Sequence, residues 1–162
     1  MNNINLKAID ELNKSVIEKP ESGMFHFTEH LSWKGGTSNN ISIRDFNVLV
    51  DEPEVLGGRN LAPNPVELLM AGAVSCFSIT FEILASKEGI KFESLDVDID
   101  ADVDVAVFFG VKDGERGIQN STIKIKAKTD ASAEKIEELF NTAKNVSMVL
   151  NSLKVKPEIT IL

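Results

Sequence analysis

Residues 65–87 read PVELLMAGAVSCFSITFEILASK, and this stretch decides the fold. The preceding Asn64 is typical of an N-cap with proline at the first helical position, and Gly89 is typical of a helix end. The whole stretch is therefore predicted to be one helix. Because residues 68–81 carry no charge, this helix is expected at the centre of the core with little solvent on any side.

The composition limits the classes of protein to which the chain can belong. It has 162 residues, a formal net charge of −8 and a single cysteine. One cysteine forms no internal disulfide and no cysteine-based zinc site, which excludes small disulfide scaffolds and zinc ribbons. The acidic charge predicts no nucleic-acid partner and no membrane partner. No signal-peptide pattern is present, so a cytoplasmic location is expected, and neither a cofactor nor a metal ion is expected.

The first third of the chain predicts a helix, two strands and a loop. Apolar residues recur with helical spacing until Pro20, which predicts an N-terminal helical extension over residues 1–20 and a single domain over residues 21–162. Alternating apolar and polar residues predict one strand over residues 25–33. A second strand is predicted over residues 41–50, with a bulge near its middle, and a Gly/Pro-rich loop follows.

Two later segments alternate apolar residues with charges of opposite sign. Residues 95–105 place five aspartates on one face, and residues 122–129 place three lysines on one face. Opposite charges on paired strands relieve the repulsion among the aspartates, so these segments are predicted to be neighbouring strands.

The C-terminal part predicts two helical segments and a strand. Asp130 is predicted to cap a third helix, residues 146–150 a short helical turn, and residues 155–162 the last strand. The resulting order, β-β-α-β-β-α-β, is neither strictly alternating nor all-β. It indicates a mixed α+β fold.

Two patterns resemble metal motifs. Residues 26–30 match H-x-x-E-H, which holds zinc on a helix, whereas their flanks alternate as a strand. Residues 96–101 resemble a calcium loop but lack glycine at the sixth position, and a solvated strand face explains them better. Neither pattern is interpreted as a metal site.

Cys76 lies near the middle of the predicted central helix, and chemistry alone leaves its role open. A free cysteine is among the most buried residue types and packs as a small hydrophobe. To react, it needs a nearby cation or hydrogen-bond donor. Arg59 lies in the loop that leads into the helix and is a candidate for this cation or donor. A structural and a reactive Cys76 both remain open at this point.

Residues 56–76 read LGGRNLAPNPVELLMAGAVSC, and residues 85–90 read ASKEGI. Together they resemble the signature of the OsmC/Ohr family of thiol peroxidases. Residues 33–36 and 50–53 are similar to the family's N-terminal strands, and SMVLNSL at residues 147–153 is similar to its second-cysteine segment. The resemblance implies an α+β fold in which curved antiparallel sheets surround long central helices. It also implies an intertwined homodimer with active sites at the subunit interface.

The resemblance also implies roles for individual residues. It assigns the attacking thiolate to Cys76 and places the resolving cysteine at Ser147. The family's arginine falls on Thr37, and the carboxylate that holds this arginine falls on Val66. Glu67 is adjacent, but one residue turns a side chain by about 100° around a helix. The chain therefore resembles a branch without the second cysteine, which implies that an external thiol would resolve an oxidised Cys76.

Functions of different classes remain open. In the first, Cys76 reduces an organic hydroperoxide or senses an oxidant, with Arg59 or Glu67 as a supporting group and an external thiol as the reductant. In the second, a non-enzymatic homodimer binds a small apolar ligand in the interface pocket, which Cys76 and the three substituted family positions line. In the third, the dimer is purely structural.

Overall fold

The structure is a computed structural model that describes residues 2–153 and 158–161. Within these residues the chain forms six strands, namely β1 (Glu29–Trp33), β2 (Asn39–Ile43), β3 (Phe46–Val50), β4 (Phe92–Val103), β5 (Ile118–Thr129) and β6 (Glu158–Ile161). The same residues form five α-helices, namely α1 (Leu6–Glu18), α2 (Pro65–Lys87), α3 (Val105–Phe108), α4 (Ala133–Val146) and α5 (Met148–Ser152). The fold is therefore α+β, as predicted.

The chain folds as two compact units. The C-terminal unit comprises Met1–Leu6 and Met70–Leu162, and the N-terminal unit comprises Lys7–Leu69. The N-terminal unit holds sheet A, with strand order β1-β2-β3, and the C-terminal unit holds sheet B, with strand order β4-β5-β6. Each unit thus has a three-stranded sheet of its own.

The central helix has the predicted length, and Gly89 follows it with a φ of 79°, the left-handed conformation that commonly ends helices. The prediction of little solvent on any side is wrong for the single chain. Phe77, Phe81 and Ala85 are buried, whereas Ile79 is 55% exposed. Since residues spaced three or four apart share a helix face, the elements packed against α2 cover one face and leave another exposed.

The core of the C-terminal unit joins α2, sheet B and α4. Its buried side chains include Phe77 and Phe81 of α2, Ile123 and Ile125 of β5, and Phe140 of α4. The Phe77 and Phe140 rings meet edge to face, with 5.3 Å between their centroids. Burial of one such side chain contributes about 1.5–3 kcal/mol, so this cluster fixes the position of α2 within its unit.

Sheet B confirms the predicted pairing of the acidic and basic segments. β4 and β5 are antiparallel, and Asp96 lies opposite Lys126 while Asp98 lies opposite Lys124. The Lys124 ammonium also donates to a carboxylate oxygen of Asp100 at 2.7 Å. Exposed ion pairs contribute little to stability individually, so the main effect of the lysines is to offset repulsion along the aspartate row.

Sheet B differs from the prediction at both of its ends. β4 stops at Val103 because Asp104 caps α3, accepting hydrogen bonds from the N–H groups of Ala106 and Val107. The last strand, β6, is parallel to β5, so sheet B is mixed rather than entirely antiparallel. Of the predicted terminal strand, residues 155–157 and 162 lie outside the described residues.

Sheet A corrects both predicted N-terminal strands. The segment interpreted as one bulged strand is a hairpin of β2 and β3, with Arg44 in its turn at a φ of 53°. A two-residue turn changes the phase of the apolar pattern much as a bulge does, which explains the error. β1 begins at Glu29 rather than at residue 25, because its partner β2 ends at Ile43, opposite Glu29.

The cap of α4 also differs from the prediction. α4 is capped by Ser132, whose hydroxyl accepts from the Lys135 N–H, and not by Asp130. The final helical turn is α5, which starts after Ser147 rather than at residue 146, because α4 continues to Val146.

The predicted N-terminal helix is present as α1, and none of its residues is buried. Asn2, just before it, is bound within the C-terminal unit. Its side-chain amide donates to the Ser86 hydroxyl at 2.8 Å and to the Ile90 carbonyl at 2.9 Å, and its carbonyl oxygen accepts from the Phe92 N–H. The beginning of the chain is thereby fixed to the end of α2 and the start of β4.

Candidate functional site

Cys76 is a partly exposed residue of α2, directly before the buried Phe77. Its sulfur accepts a hydrogen bond from the Ser147 hydroxyl, with 3.3 Å between Oγ and Sγ. The Thr80 hydroxyl donates to the Cys76 carbonyl at 2.7 Å. Cys76 is therefore a partly exposed residue whose sulfur has a hydrogen-bond donor, and partial exposure is typical of reactive cysteines.

Ser147 lies at the junction of α4 and α5 and is completely buried. Because Phe140 of α4 packs on Phe77 of α2, the end of α4 is held near the middle of the central helix. The structure thus brings together Cys76 and Ser147, the two predicted site positions that belong to the C-terminal unit.

A second cluster, in the N-terminal unit, is organised by Asp51, which directly follows β3 and is 1% exposed. Its carboxylate accepts hydrogen bonds from the Thr37 hydroxyl at 2.6 Å and from the N–H groups of Arg59 and Leu61 at 3.1 and 3.3 Å. The bond from Thr37, with those from the two N–H groups, holds the pKa of Asp51 well below its usual range. A charged Asp51 therefore fastens the loop before α2 to the end of sheet A.

Arg59, the candidate supporting cation, is held by its side chain as well as by its backbone. Its guanidinium Nη2 donates to the hydroxyl of Ser38, a buried residue, at 3.2 Å. Ser38 is the neighbour of Thr37, the position at which the resemblance places the family's arginine. The loop therefore brings a guanidinium group to the residue next to the substituted arginine position.

The conformation of this loop requires glycine at position 58. A Cβ atom built on Gly58 would lie 1.7 Å from the carbonyl oxygen of Glu52, a backbone atom that has no flexible side chain to move aside. The backbones of Glu52 and Gly58 therefore lie so close together that only glycine fits at position 58. Arg59 is the next residue in the chain.

Comparison with known proteins assigns the family. The family model described as "OsmC-like protein" matches residues 57–162, well over half of the chain. The chain belongs to the OsmC family. The curated protein YmaD of Bacillus subtilis (strain 168), named as uncharacterized, is 23% identical over 141 residues, which cover 84% of this chain and 91% of YmaD.

Solved structures of OsmC-family proteins share the fold. An OsmC-like protein of unknown function from Vibrio cholerae superposes with a TM-score of 0.71 at 14% identity, covering 86% of this chain and 100% of that one. An organic hydroperoxide resistance protein OsmC from Legionella pneumophila superposes with a TM-score of 0.61 at 18% identity, covering 86% and 96%. At these identities the likeness shows the fold.

Family membership also decides how the long apolar helix is interpreted. By length and composition α2 is apolar enough to cross a membrane. OsmC-family proteins are soluble, and in this chain Phe77, Phe81 and Ala85 of α2 belong to the core. The chain is therefore a soluble protein, and α2 is its core helix.

Glu67 and Val66 lie in the first turn of α2, and Glu67 takes part in a capping box there. The Asn64 side chain accepts from the Glu67 N–H, and the Glu67 carboxylate accepts from the Asn64 N–H, both at 2.8 Å. The half-buried Val66 beside it supplies no acceptor. Here the carboxylate of Glu67 stabilises the start of the helix, and its part in redox chemistry stays a prediction.

The two histidines of the H-x-x-E-H pattern occupy different settings. His26 precedes β1 and contacts the Thr28 hydroxyl, whereas His30 lies within β1 and contacts the Ser32 hydroxyl. Across residues 2–153 and 158–161, no group of three or more His, Cys, Asp or Glu side chains is placed to hold a metal ion.

Sequence reasoning missed Asp51 and Ser38. A usable signal was present, since an aspartate that directly follows a strand and opens a Gly/Pro-rich loop commonly binds backbone N–H groups of that loop. Ser38 offers no comparable signal, because its partner Arg59 is distant in sequence.

We predict that Asp51→Asn lowers the melting temperature by several degrees at pH 7, because the amide loses the negative charge that the three donors bind. The stabilisation from a carboxylate with a lowered pKa is complete above its ordinary value of 3.8 and is lost as the pH falls towards the folded-state value. The difference between variant and wild type should therefore shrink in acid. Thermal unfolding at pH 7 and pH 3 measures it.

Asp113→Asn is the control for this prediction, because it makes the same chemical change at an exposed loop position. It should leave the melting temperature nearly unchanged at both pH values. Equal melting temperatures for Asp51→Asn and wild type at pH 7 would contradict the role given to Asp51.

Proposed function

We propose that this OsmC-family chain is a thiol-dependent redox protein that reduces organic hydroperoxides through Cys76. The observation that carries the proposal is the contact of the sulfur of Cys76, a partly exposed residue, with a buried hydroxyl donor. Two further facts support it. The chain belongs to the OsmC family, and the similar Legionella pneumophila structure is named an organic hydroperoxide resistance protein.

In the first step the Cys76 thiolate attacks the terminal oxygen of the hydroperoxide, the one that carries the hydrogen. A sulfur–oxygen bond forms as the oxygen–oxygen bond breaks, and the departing alkoxide takes a proton and leaves as an alcohol. Sulfur is oxidised to sulfenic acid, and the peroxide is reduced.

The second step needs a thiol from outside the chain, because the sequence has a single cysteine and Ser147 faces its sulfur. A low-molecular-weight thiol displaces water from the sulfenic acid and forms a mixed disulfide. A second molecule of that thiol attacks the mixed disulfide, releasing the small disulfide and the reduced Cys76. The same oxidation would serve oxidant sensing if the second step were slow.

The proposal predicts that one equivalent of tert-butyl hydroperoxide converts Cys76 to sulfenic acid. Trapping with dimedone followed by mass spectrometry should place the adduct on Cys76, and free cysteine added before the trap should prevent it. The matched control is Cys76→Ser, which should form no adduct and no tert-butyl alcohol. Absence of the adduct in the wild-type protein at stoichiometric peroxide would count against the proposal.

A second prediction concerns the missing resolving thiol. In Ser147→Cys, hydroperoxide treatment should produce an intramolecular disulfide with Cys76, since the Ser147 Oγ already lies 3.3 Å from Cys76 Sγ. Non-reducing electrophoresis and peptide mapping distinguish this bond from a disulfide between chains. Ser152→Cys in α5, whose parent hydroxyl bonds the Met148 carbonyl instead, is the control and should give no such bond.

We also propose that the active form is a homodimer. In sheet A, Leu31, Ile41 and Val48 lie side by side in register. On the same face Trp33 and Phe46 are 71% and 61% exposed, and Leu31 is 54% exposed. An exposed apolar face of this kind is typical of protein–protein interfaces. The proposed occupant is a second copy of the chain, as the family resemblance implies.

The dimer proposal predicts that Leu31→Glu yields a monomer, because the new carboxylate would be buried unpaired in the interface. His30→Glu is the matched control, since adjacent residues of β1 face opposite sides of sheet A. That variant should remain a dimer. Light scattering coupled to size-exclusion chromatography measures both masses, and a monomeric wild type would refute the proposal.

A further inference from the structure

The Ser147 hydroxyl does not cap the helix that follows it, although a serine at the start of a helix usually does. N-cap serines accept a hydrogen bond from the second or third N–H group of their helix. Ser132 does this at the start of α4, accepting from the Lys135 N–H. Ser147 is the N-cap of α5, yet its hydroxyl makes no such bond and donates to the Cys76 sulfur instead.

The turn that carries Ser147 is held by the side chain of Asn151. The Asn151 amide donates to the Ser147 carbonyl at 2.8 Å and to the Asn145 carbonyl at 2.9 Å, bridging the two sides of the helix junction. The Ser147 N–H also binds the Ala143 carbonyl at 2.9 Å. With its backbone fixed on both sides and its side chain completely buried, Ser147 presents its hydroxyl from a fixed position.

A fixed hydroxyl at this place has a chemical effect on the sulfur. Hydrogen bonds to an anion are stronger than those to a neutral acceptor, so the hydroxyl stabilises a thiolate more than a thiol. The thiolate is the form that attacks peroxides and alkylating agents. Burial of Ser147 strengthens the effect, because solvent does not compete for its hydroxyl.

We infer that Ser147 is a catalytic residue that donates a hydrogen bond to the reacting sulfur of Cys76, and that Asn151 is its positioning residue. The inference rests on the proposed function and names the group that makes its thiol reactive. During peroxide reduction Ser147 keeps its proton, and the alkoxide takes its proton from solvent. A hydroxyl in this position supports the attack but forms no disulfide, so the sulfenic acid passes to the external thiol.

Three variants test the inference through the rate of Cys76 alkylation by iodoacetamide at pH 7, together with the rate of oxidation by tert-butyl hydroperoxide at the same pH. Ser147→Ala should slow both reactions by about ten- to a hundredfold, as expected for a lost bond to an anion. Asn151→Ala should change both in the same direction by a smaller factor. Ser132→Ala removes the same atoms at a true cap and should change neither reaction.

Folding is checked by circular dichroism, and Ser147→Ala is expected to fold because the lost hydroxyl caps no helix. A folded Ser147→Ala variant with the wild-type rates of alkylation and oxidation would overturn the inference. If that variant does not fold, a folded Asn151→Ala variant with the wild-type rates of both reactions overturns it equally.

The same measurements separate the inference from the proposed function. Equal hydroperoxide rates for wild type and Ser147→Ala would leave the function standing and overturn the role of Ser147. A wild-type Cys76 that resists hydroperoxide but shows Ser147-dependent alkylation would refute the function and support Ser147 as the donor to the thiolate.

Discussion

The packing of Phe77 and Phe81 against β5 and α4 is the constraint on which the C-terminal unit depends. Both rings are fully buried, and Phe77 meets Phe140 of α4 edge to face. Cys76 directly precedes Phe77, so burial of the ring also fixes the position of the thiol. The same contact holds α4, whose end carries Ser147. One hydrophobic cluster therefore positions both partners of the thiol–hydroxyl contact.

In the N-terminal unit the corresponding constraint is an electrostatic interaction rather than hydrophobic packing. The loop before α2 contains no strand and no long helix, so its backbone N–H groups need partners from elsewhere. The carboxylate of the buried Asp51 accepts hydrogen bonds from two of these N–H groups and from the Thr37 hydroxyl as well. Thr37, where the resemblance places the family's arginine, is thus part of a hydrogen-bond cluster and helps to hold the loop that carries Arg59.

Much of the fold could be predicted from local pattern. The bounds of α2 followed from a cap, an uncharged apolar run and a terminating glycine, all of which act over a few residues. The pairing of β4 with β5 followed from opposite charges in alternating positions. Two of the predictions that were wrong depend on neighbours distant in sequence. The true start of β1 is set by the end of its partner β2. Which side of α2 is exposed is set by the elements that pack on the helix.

The sequence by itself determined the family, the α+β fold, the central helix and the identity of the thiol. It also determined that no second thiol is available, because composition is independent of folding. Only the tertiary structure decided that Ser147 donates to Cys76, that Asn151 holds Ser147, and that Asp51 joins Thr37 to the loop of Arg59. The reason is physical. A hydrogen bond forms within about 3.5 Å, and no local pattern specifies which distant residues the packing brings that close.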